Sequence, residues 1–325
     1  MPAFPRDLPV WALAVASLRA GTPVALLCVV HSSGSSPGRQ GFKMAVTAAA
    51  LAGSIGGGIM EHKFVELARQ RLLAGDSRPV LRPQIHRREA PSDRSGMMCS
   101  GEQEVLLWPL TAADLSVTEA IVAAMTLGNN SQLHLSADGG LQLQNHTEPA
   151  AAFYHYQPGA AWCYREQLGF RDHVTIVGAG HVSLALSKTL ALLDFELTVL
   201  DDRPGLPTLA ANQAAHHRRV VSYEQAALEI LPGPHQYVVV MTVGYRTDAE
   251  VLRHLLGRPY RYLGVMGSAA KVAELRRGLL VQGFSAAAVA QLRGPIGLPI
   301  GSQTPEEIAI SIAAELIQER HRLEH

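Results

Sequence analysis

Two glycines and an acid stand at the spacing that dinucleotide-binding proteins use. Gly178 and Gly180 come directly after the β-branched run Val174–Val177, and Asp201 ends the next apolar run. Glycines at such a turn let a ligand approach the backbone, the next helix offers N–H groups to an anion, and the acid can accept from a sugar hydroxyl. Ser183, at the third position of the pattern, is small enough for close helix–strand packing. We therefore expect a ligand-binding βαβ unit; the alternative is a tight turn that binds nothing.

A second turn of this kind follows a later apolar strand. Tyr262–Val265 is predicted to be a strand, Gly267 and Ser268 come just after it, and Lys271 follows within one helical turn. A Gly-Ser turn that opens a helix can bind an anion at the same edge of the sheet. The alternative is an ordinary β–α turn in which Ser268 only caps the helix.

The first half of the chain carries a serine-rich loop after its first predicted strand. His31–Gly41 contains four serines and three glycines, and Lys43 lies just beyond it. Hydroxyl and N–H donors such as those of Ser35 can surround an anion, and the lysine can supply positive charge. A surface hairpin is the alternative.

A glycine cluster opens the helix that follows this loop. Three consecutive glycines with Gly57 at their centre cost conformational entropy, which indicates that the backbone must come close to another group. Glu61 lies in the first turn of the helix, where the helix dipole also favours an acid for structural reasons alone.

Cys99 lies in a third loop, between Met98 and Ser100, just before an apolar strand. A thiol there can act as a nucleophile or a soft metal ligand, or it can be an incidental free thiol.

Two predicted domains position these residues, and both mix helices with strands. Residues 1–168 are predicted to form an N-terminal mixed α/β domain, and residues 169–322 a Rossmann-like parallel sheet with helices on both faces. Leu323–His325 resembles the start of a vector-encoded histidine tag. The fold class is therefore predicted to be α/β.

Several element predictions can be checked directly. Val220–Ser222 is predicted to be the third strand of the parallel sheet. Thr304 and Glu307 form a capping box that predicts the start of the last helix. Cys28 is expected inside a buried strand, and Cys163 is also expected to be buried.

Composition and charge limit the possible classes of function. The 325 residues are 47% apolar and 17% charged, and the formal net charge is zero. Because there is no Lys/Arg-rich run, we expect no nucleic-acid partner. Because no stretch of about 18 apolar residues occurs, we also expect no membrane span. Three widely spaced cysteines indicate reduced thiols and a cytoplasmic location.

Taken together, these motifs resemble the XdhC/CoxI family of xanthine dehydrogenase accessory factors over nearly the whole chain. In the first half the resemblance lies in GSSPGRQGFKMAV, GSIGGGIMEH and GMMCSGEQEV. In the second half it lies in VGAGHVSLAL, LDDRP, YLGVMGSAAK and PIGLPIGSQTPEEIAISIAAELI. Cys99 matches the cysteine of the family's Cys-Gly-Gly motif, although Ser100 replaces one glycine here.

The resemblance implies a function without turnover chemistry of its own. Such a protein binds molybdenum cofactor, as molybdopterin or its cytosine dinucleotide form, and protects it while a terminal sulfur is installed. It then delivers the cofactor to a xanthine dehydrogenase-type molybdoenzyme. A cysteine desulfurase and a second copy of the chain in a homodimer are the other implied partners.

The motifs and the resemblance together give a set of expected cofactor-binding residues, in which Cys99 is also a possible molybdenum ligand through the bound cofactor. The set comprises Ser35, Lys43, Gly57, Glu61, Cys99, Gly178, Gly180, His181, Asp201, Gly267 and Ser268. The alternatives are an NAD(P)-dependent oxidoreductase that uses the same Rossmann unit, and a regulatory dinucleotide sensor. The oxidoreductase interpretation has the turn and the acid but lacks an evident proton donor.

Overall fold

The computed structural model describes residues 3–85, 101–128, 131–145 and 153–322. The chain divides between Gly169 and Phe170 into two compact units. Among the described helices, none combines the length and the apolar character needed to cross a membrane.

The first unit contains two antiparallel sheets. Its elements are α1 (Leu8–Arg19), β1 (Val24–Gly34), β2 (Lys43–Val46), β3 (Leu51–Gly53), α2 (Gly58–Leu73), β4 (Val80–Ile85), β5 (Gly101–Leu110), α3 (Leu115–Leu127), β6 (Ser131–Ser136), β7 (Gly140–Asn145), β8 (Tyr154–Gln157) and β9 (Cys163–Gln167). One sheet has the order β3-β2-β1-β5-β4 and the other β7-β6-β9-β8. All of their strand pairs run antiparallel.

The continuous apolar run of β1 reflects burial on both faces of its sheet. Alternate residues point to opposite faces of a strand. Leu26 and Cys28 enter a core built with α1, α3 and the four-stranded sheet. Leu27 and Val29 enter a second core, which α2 covers. The thiol of Cys28 is fully buried, as the sequence predicts.

The second unit is a parallel α/β layer structure. Its elements are β10 (Asp172–Val177), α4 (His181–Leu190), β11 (Phe195–Asp201), α5 (Pro207–Ala211), β12 (His217–Val220), β13 (Gly233–Val240), α6 (Tyr245–Leu255), β14 (Tyr260–Val265), α7 (Ala269–Val281), α8 (Ala286–Gln291) and α9 (Pro305–His321). The sheet order is β12-β11-β10-β13-β14, with every pair parallel. This confirms the predicted α/β class with a Rossmann-like sheet.

Helices cover both faces of this sheet. Residues of α4 and α9 pack on one face, and residues of α6, α7 and α8 pack on the other. The strand order reverses between β10 and β13, so the crevice outside their carboxyl ends is where ligands bind in open parallel sheets. The Thr304 hydroxyl accepts from Glu307 N and the Glu307 side chain accepts from Thr304 N, which confirms the predicted capping box.

Two element-level expectations are wrong. The third parallel strand is His217–Val220, earlier than the predicted Val220–Ser222. Its residues are all exposed and mostly polar, so this edge strand carries no apolar signal. Cys163 is only half-buried, because its position on β9 faces away from the core.

Candidate functional site

The first glycine turn lies at the switch point of the parallel sheet. Gly178 has a φ of +108°, and a side chain there would collide with the Met241 carbonyl at the end of β13. Gly178 is therefore required because the ends of β10 and β13 approach each other closely at this point. Gly180 has ordinary extended backbone, and a Cβ there would meet no atom within 4 Å. A side chain at Gly180 would point into open space, as expected of a position that a ligand approaches.

The N-terminus of α4 has no side-chain cap. The first hydrogen bond of this helix runs from Leu184 N to Gly180 O, at 3.1 Å. The three preceding N–H groups have no acceptor within the helix. In the same turn, the Ser183 hydroxyl is buried and has no partner among the described residues. His181, the first residue of the helix, is exposed. Together these groups form an uncapped donor site that can hold an anion.

A shallow cavity of about 260 Å³ borders this helix. It is lined by residues of α4, including His181, Leu184 and Lys188, and by Pro305 and Glu306 at the start of α9. His181 therefore faces open volume, and the cationic Lys188 lies within the same groove.

The Asp201 carboxylate accepts its hydrogen bonds from neighbouring groups of the protein. This fully buried group accepts from Ala179 N at 2.7 Å and from Arg203 N, Nε and Nη2 at 3.0, 2.8 and 2.8 Å. Burial opposes ionisation, but the hydrogen bonds from Arg203 and Ala179 outweigh it and hold the pKa of Asp201 below its ordinary value. Asp201 thus fastens the glycine turn to the end of β11. Its contact with a ribose stays a prediction, which this geometry does not favour.

The polar side chains of the second predicted turn already have partners within the protein. The Ser268 hydroxyl caps α7 by accepting from Lys271 N at 3.2 Å. The Lys271 ammonium pairs with the buried Asp248 carboxylate at 2.5 Å and donates to the Met266 carbonyl at 3.1 Å. A Cβ at Gly267 would lie 2.6 Å from the Lys271 side chain. The Lys271 ammonium and the Ser268 hydroxyl therefore already have partners within the protein, and cofactor binding by Gly267 and Ser268 stays a prediction.

In the first unit, glycines let the serine-rich loop touch the glycine-cluster loop and the start of β5 through their backbones. A Cβ at Gly56 would lie 2.5 Å from Gly38 N, and one at Gly38 would collide with the Ile55 carbonyl. A Cβ at Gly101 would collide with Ser36 N. Each loop therefore needs its glycine because the neighbouring loop fills the place of a side chain.

A buried glutamine on β5 ties the loop at Ser36–Gly38 to β4 and β5. Gln103 Oε1 accepts from Ser36 Oγ at 2.7 Å and from Gly38 N at 3.0 Å. Its Nε2 donates to Gln84 Oε1 at 2.5 Å. This role of Gln103 was not predicted from the sequence, because Gln103 lies between Glu102 and Glu104 in the polar first half of β5, where no local signal marks it as buried.

Glu61 already occupies the glycine cluster before α2. A single carboxylate oxygen accepts from Ser54 Oγ at 2.6 Å, Ile55 N at 2.9 Å and Gly57 N at 3.0 Å. Gly57 has a φ of +74° with no atom within 4 Å of a Cβ position. The group that approaches this backbone is therefore the protein's own Glu61 carboxylate, and cofactor binding by Gly57 and Glu61 stays a prediction.

Lys43 is buried at the centre of an ion-pair network. Its ammonium donates to Asp7 at 2.7 Å, to Glu166 at 2.5 Å and to the Gly41 carbonyl at 2.9 Å. Burial lowers the pKa of Lys43, but the two carboxylates outweigh this and raise it above its ordinary value. All three ammonium hydrogens are used, so the geometry gives no support to Lys43 as a ligand for the cofactor.

Of the remaining predicted residues, Ser35 is exposed at the bend of its loop. Its carbonyl carbon is 2.6 Å from the Cβ position of Gly101. Cys99 lies outside the described residues, two positions before Gly101. Ser35 and the start of β5 are therefore neighbours, and the roles of Ser35 and Cys99 stay predictions.

Comparison with known families gives matches in both units. The XdhC Rossmann domain family matches residues 174–316, and the XdhC and CoxI family matches residues 17–83. The first match contains the glycine turn and α4, and the second contains the loops around Ser36 and Gly56.

Curated relatives are similar over part of their length. An uncharacterized protein of Escherichia coli K12, YqeB, is 28% identical over 302 residues, which are 91% of this chain and 43% of that protein. A probable xanthine dehydrogenase subunit of Bacillus subtilis 168 is 31% identical over 153 residues, which are 47% of this chain and 44% of that protein. The chain spans less than half the length of these relatives.

A solved structure shares the fold. The crystal structure of a xanthine dehydrogenase from Bacillus halodurans superposes with a TM-score of 0.71 at 22% identity, and the match covers 96% of each chain. Two family matches that fall in the two separate units, together with the motifs they contain, lead to one conclusion: the chain belongs to the XdhC and CoxI family.

Proposed function

We propose that this protein is an accessory factor of a xanthine dehydrogenase-type enzyme. In this proposal it binds molybdenum cofactor, protects it while a terminal sulfur from a cysteine desulfurase is installed, and delivers it to the enzyme. Membership of the XdhC and CoxI family supports the accessory role. The molybdenum of the cofactor accepts sulfur, which is the chemistry that the group supplies when bound.

The observation that carries the proposal is the uncapped start of α4 at the switch point. Molybdopterin bears a phosphate or a nucleotide diphosphate, and such groups bind to free N–H donors at helix N-termini. The orphaned Ser183 hydroxyl adds one more polar group in the same turn. The open space beside Gly180 leaves room for a phosphate to approach.

The three joined loops of the first unit support a role for Cys99. Gly38, Gly56 and Gly101 allow backbone-to-backbone packing, which fixes the start of β5 just after this cysteine. The Cys99 thiolate is a suitable soft ligand for molybdenum. In the proposal, Cys99 contacts the metal end of the cofactor.

The oxidoreductase alternative is less well supported. A nicotinamide enzyme uses the acid after its second strand to hold ribose hydroxyls. Here the Asp201 carboxylate is buried and already accepts from Ala179 and Arg203. Binding of NAD with an affinity equal to or above that of molybdopterin would favour the alternative.

Gly180→Val tests the proposed phosphate site. The branched side chain would enter the space where the phosphate is expected, so affinity for molybdopterin should fall at least about tenfold, or about 1.4 kcal/mol. Calorimetry measures the affinity, and reconstitution of a cofactor-free xanthine dehydrogenase measures delivery.

Gly233→Val is the matched control for this variant. Gly233 lies at the amino end of β13, and a Cβ there also meets no atom within 4 Å. The control should bind and deliver cofactor like the parent. Unchanged binding by a folded Gly180→Val protein would remove this turn from the proposed site.

A further inference from the structure

The four-stranded sheet of the first unit has an outward face that the proposed cofactor site does not use. Along β6 and β9, Leu133, Leu135 and Tyr164 enter the core, so the alternate positions face outward. His134 and Cys163 occupy two of these outward positions. His134 lies opposite Arg165, and Cys163 lies opposite Ser136, which makes the imidazole and the thiol diagonal neighbours.

The imidazole and the thiol are in direct contact. His134 Nε2 lies 3.0 Å from Cys163 Sγ. The other ring nitrogen, Nδ1, is buried and has no hydrogen-bond partner among the described residues. The thiol is thus the one described group that hydrogen-bonds this ring, and Cys163 is half-buried, open enough for a small reagent.

The charged side chain opposite His134 is a cation, Arg165 on β9. His155 on β8 lies beyond Arg165 on the same face. Gln142 on β7 and Gln157 on β8, the other outward neighbours, are neutral. Burial, and then the charge of Arg165, lowers the pKa of His134, so the ring is neutral at pH 7 and can take up a proton.

We propose that Cys163 and His134 form a base-assisted nucleophilic thiol, a site of covalent modification by small electrophiles such as hydroperoxides. The pair shares no residue with the proposed cofactor-binding set, and the proposal does not depend on that set.

The reaction with a hydroperoxide balances without any further reactant. His134 Nε2 takes the proton of the Cys163 thiol, and the sulfur attacks one peroxide oxygen. The S–O bond forms while the O–O bond breaks. The leaving hydroxide of hydrogen peroxide, or the alkoxide of an organic hydroperoxide, takes the proton back from His134 and leaves as water or an alcohol. Cys163 is oxidised to a sulfenic acid, and the peroxide is reduced.

The other described thiol provides an internal contrast. Cys28 is fully buried in β1, and burial raises the pKa of its thiol to about 12. A metal site does not explain the pair either, because the described residues contain no group of three His, Cys, Asp or Glu side chains able to hold an ion. A reactive thiol is the chemistry that remains for this pair.

The test measures the rate at which hydrogen peroxide converts Cys163 to sulfenic acid, trapped with dimedone and assigned by peptide mass spectrometry. A Cys99→Ser background removes the third thiol. At pH 7 we expect His134→Gln to lower the rate at least fivefold, and Cys163→Ser to abolish labelling of its peptide. The matched control His155→Gln, on the same outward face, should stay within twofold of the parent.

The pH profile separates a chemical from a structural role. In the parent the rate should persist below pH 7, whereas in His134→Gln it should rise only as a free thiol ionises, near pH 8.5. A parent rate at pH 7 equal to that of folded His134→Gln overturns the proposal. If that variant does not fold, the parent is compared with its own urea-unfolded chain. A native rate no higher than the unfolded rate overturns the proposal equally.

Discussion

At the scale of single residues, several groups that look available for a ligand are engaged by the protein itself. Glu61 fills the glycine cluster before α2, Asp201 fastens the glycine turn, and Lys43 neutralises two buried acids. Residue type and local spacing identified these positions as electrostatically important. Their partners are set by the tertiary structure: Lys43 meets Asp7 and Glu166 from 36 and 123 residues away.

Lys43→Met should destabilise the first unit strongly. The substitution leaves the buried carboxylates of Asp7 and Glu166 without their cation, which typically costs about 3–5 kcal/mol in the free energy of unfolding. The exposed Lys63→Met on α2 is the control and should change it by no more than about 0.5 kcal/mol. Denaturant titration measures the free energy of unfolding of both variants. If Lys43→Met loses as little as Lys63→Met, the ion-pair network contributes little to stability.

The same variant should show a defined pH dependence. Burial raises the pKa of Glu166 even though Lys43 acts to lower it, so loss of Lys43 raises it further. A raised carboxyl pKa adds stability at low pH that is lost as the pH rises through the folded-state pKa. The difference in the free energy of unfolding between the parent and Lys43→Met should therefore grow from pH 5 to pH 8. A constant difference would contradict this explanation.

Asp201→Asn separates a structural from a ligand-binding role. Because its pKa is lowered in the folded state, Asp201 contributes stability above the unfolded-state pKa, about 3.9, and loses it as the pH falls through the folded-state value. We expect a loss of about 1.5–3 kcal/mol at pH 7 that shrinks below pH 4. Affinity should fall equally for molybdopterin and for its cytosine dinucleotide. Selective loss of the dinucleotide would assign the carboxylate to the ribose instead.

At the scale of elements, glycines determine how closely loops and strand ends approach. Gly178 allows β10 to end against Met241. In the first unit, Gly38, Gly56 and Gly101 bring three loops into backbone contact. The helices differ in how their first N–H groups are satisfied: α7 and α9 carry Ser268 and Thr304 as caps, whereas α4 has none. α6 also begins without a side-chain cap, so it is the Gly178–Gly180 turn before α4 that favours the start of α4 as the anion site.

Gly101→Ala should separate the loops of the first unit. Its Cβ would collide with Ser36 N, a backbone atom that cannot rotate away. We expect a clear fall in the thermal midpoint and loss of most cofactor binding. Gly75→Ala is the control, because that site has open space but a φ of +66°, which costs about 1–2 kcal/mol through backbone strain alone. If Gly101→Ala binds cofactor as well as Gly75→Ala does, the packing of these loops is not needed for cofactor binding.

At the scale of the whole molecule, the sequence predicted the second unit better than the first. The glycine turn, the parallel strands and the capped last helix all carry local signals, such as β-branched runs and the Thr304–Glu307 box. The polar edge strand β12 carries none. The inward Gln103 and the His134–Cys163 contact are likewise invisible locally, because each depends on the register between strands.

The central claim is that the protein holds molybdenum cofactor with the help of Cys99. The most direct measurement is the equilibrium binding of isolated molybdopterin-bound molybdenum to the purified parent, to Cys99→Ser and to the control Cys28→Ala. We expect saturable binding by the parent and by a folded Cys28→Ala protein. In Cys99→Ser we expect loss of most binding at unchanged thermal stability, since a hydroxyl is a poor soft ligand. No binding by the parent, or equal binding by parent and Cys99→Ser, would contradict it.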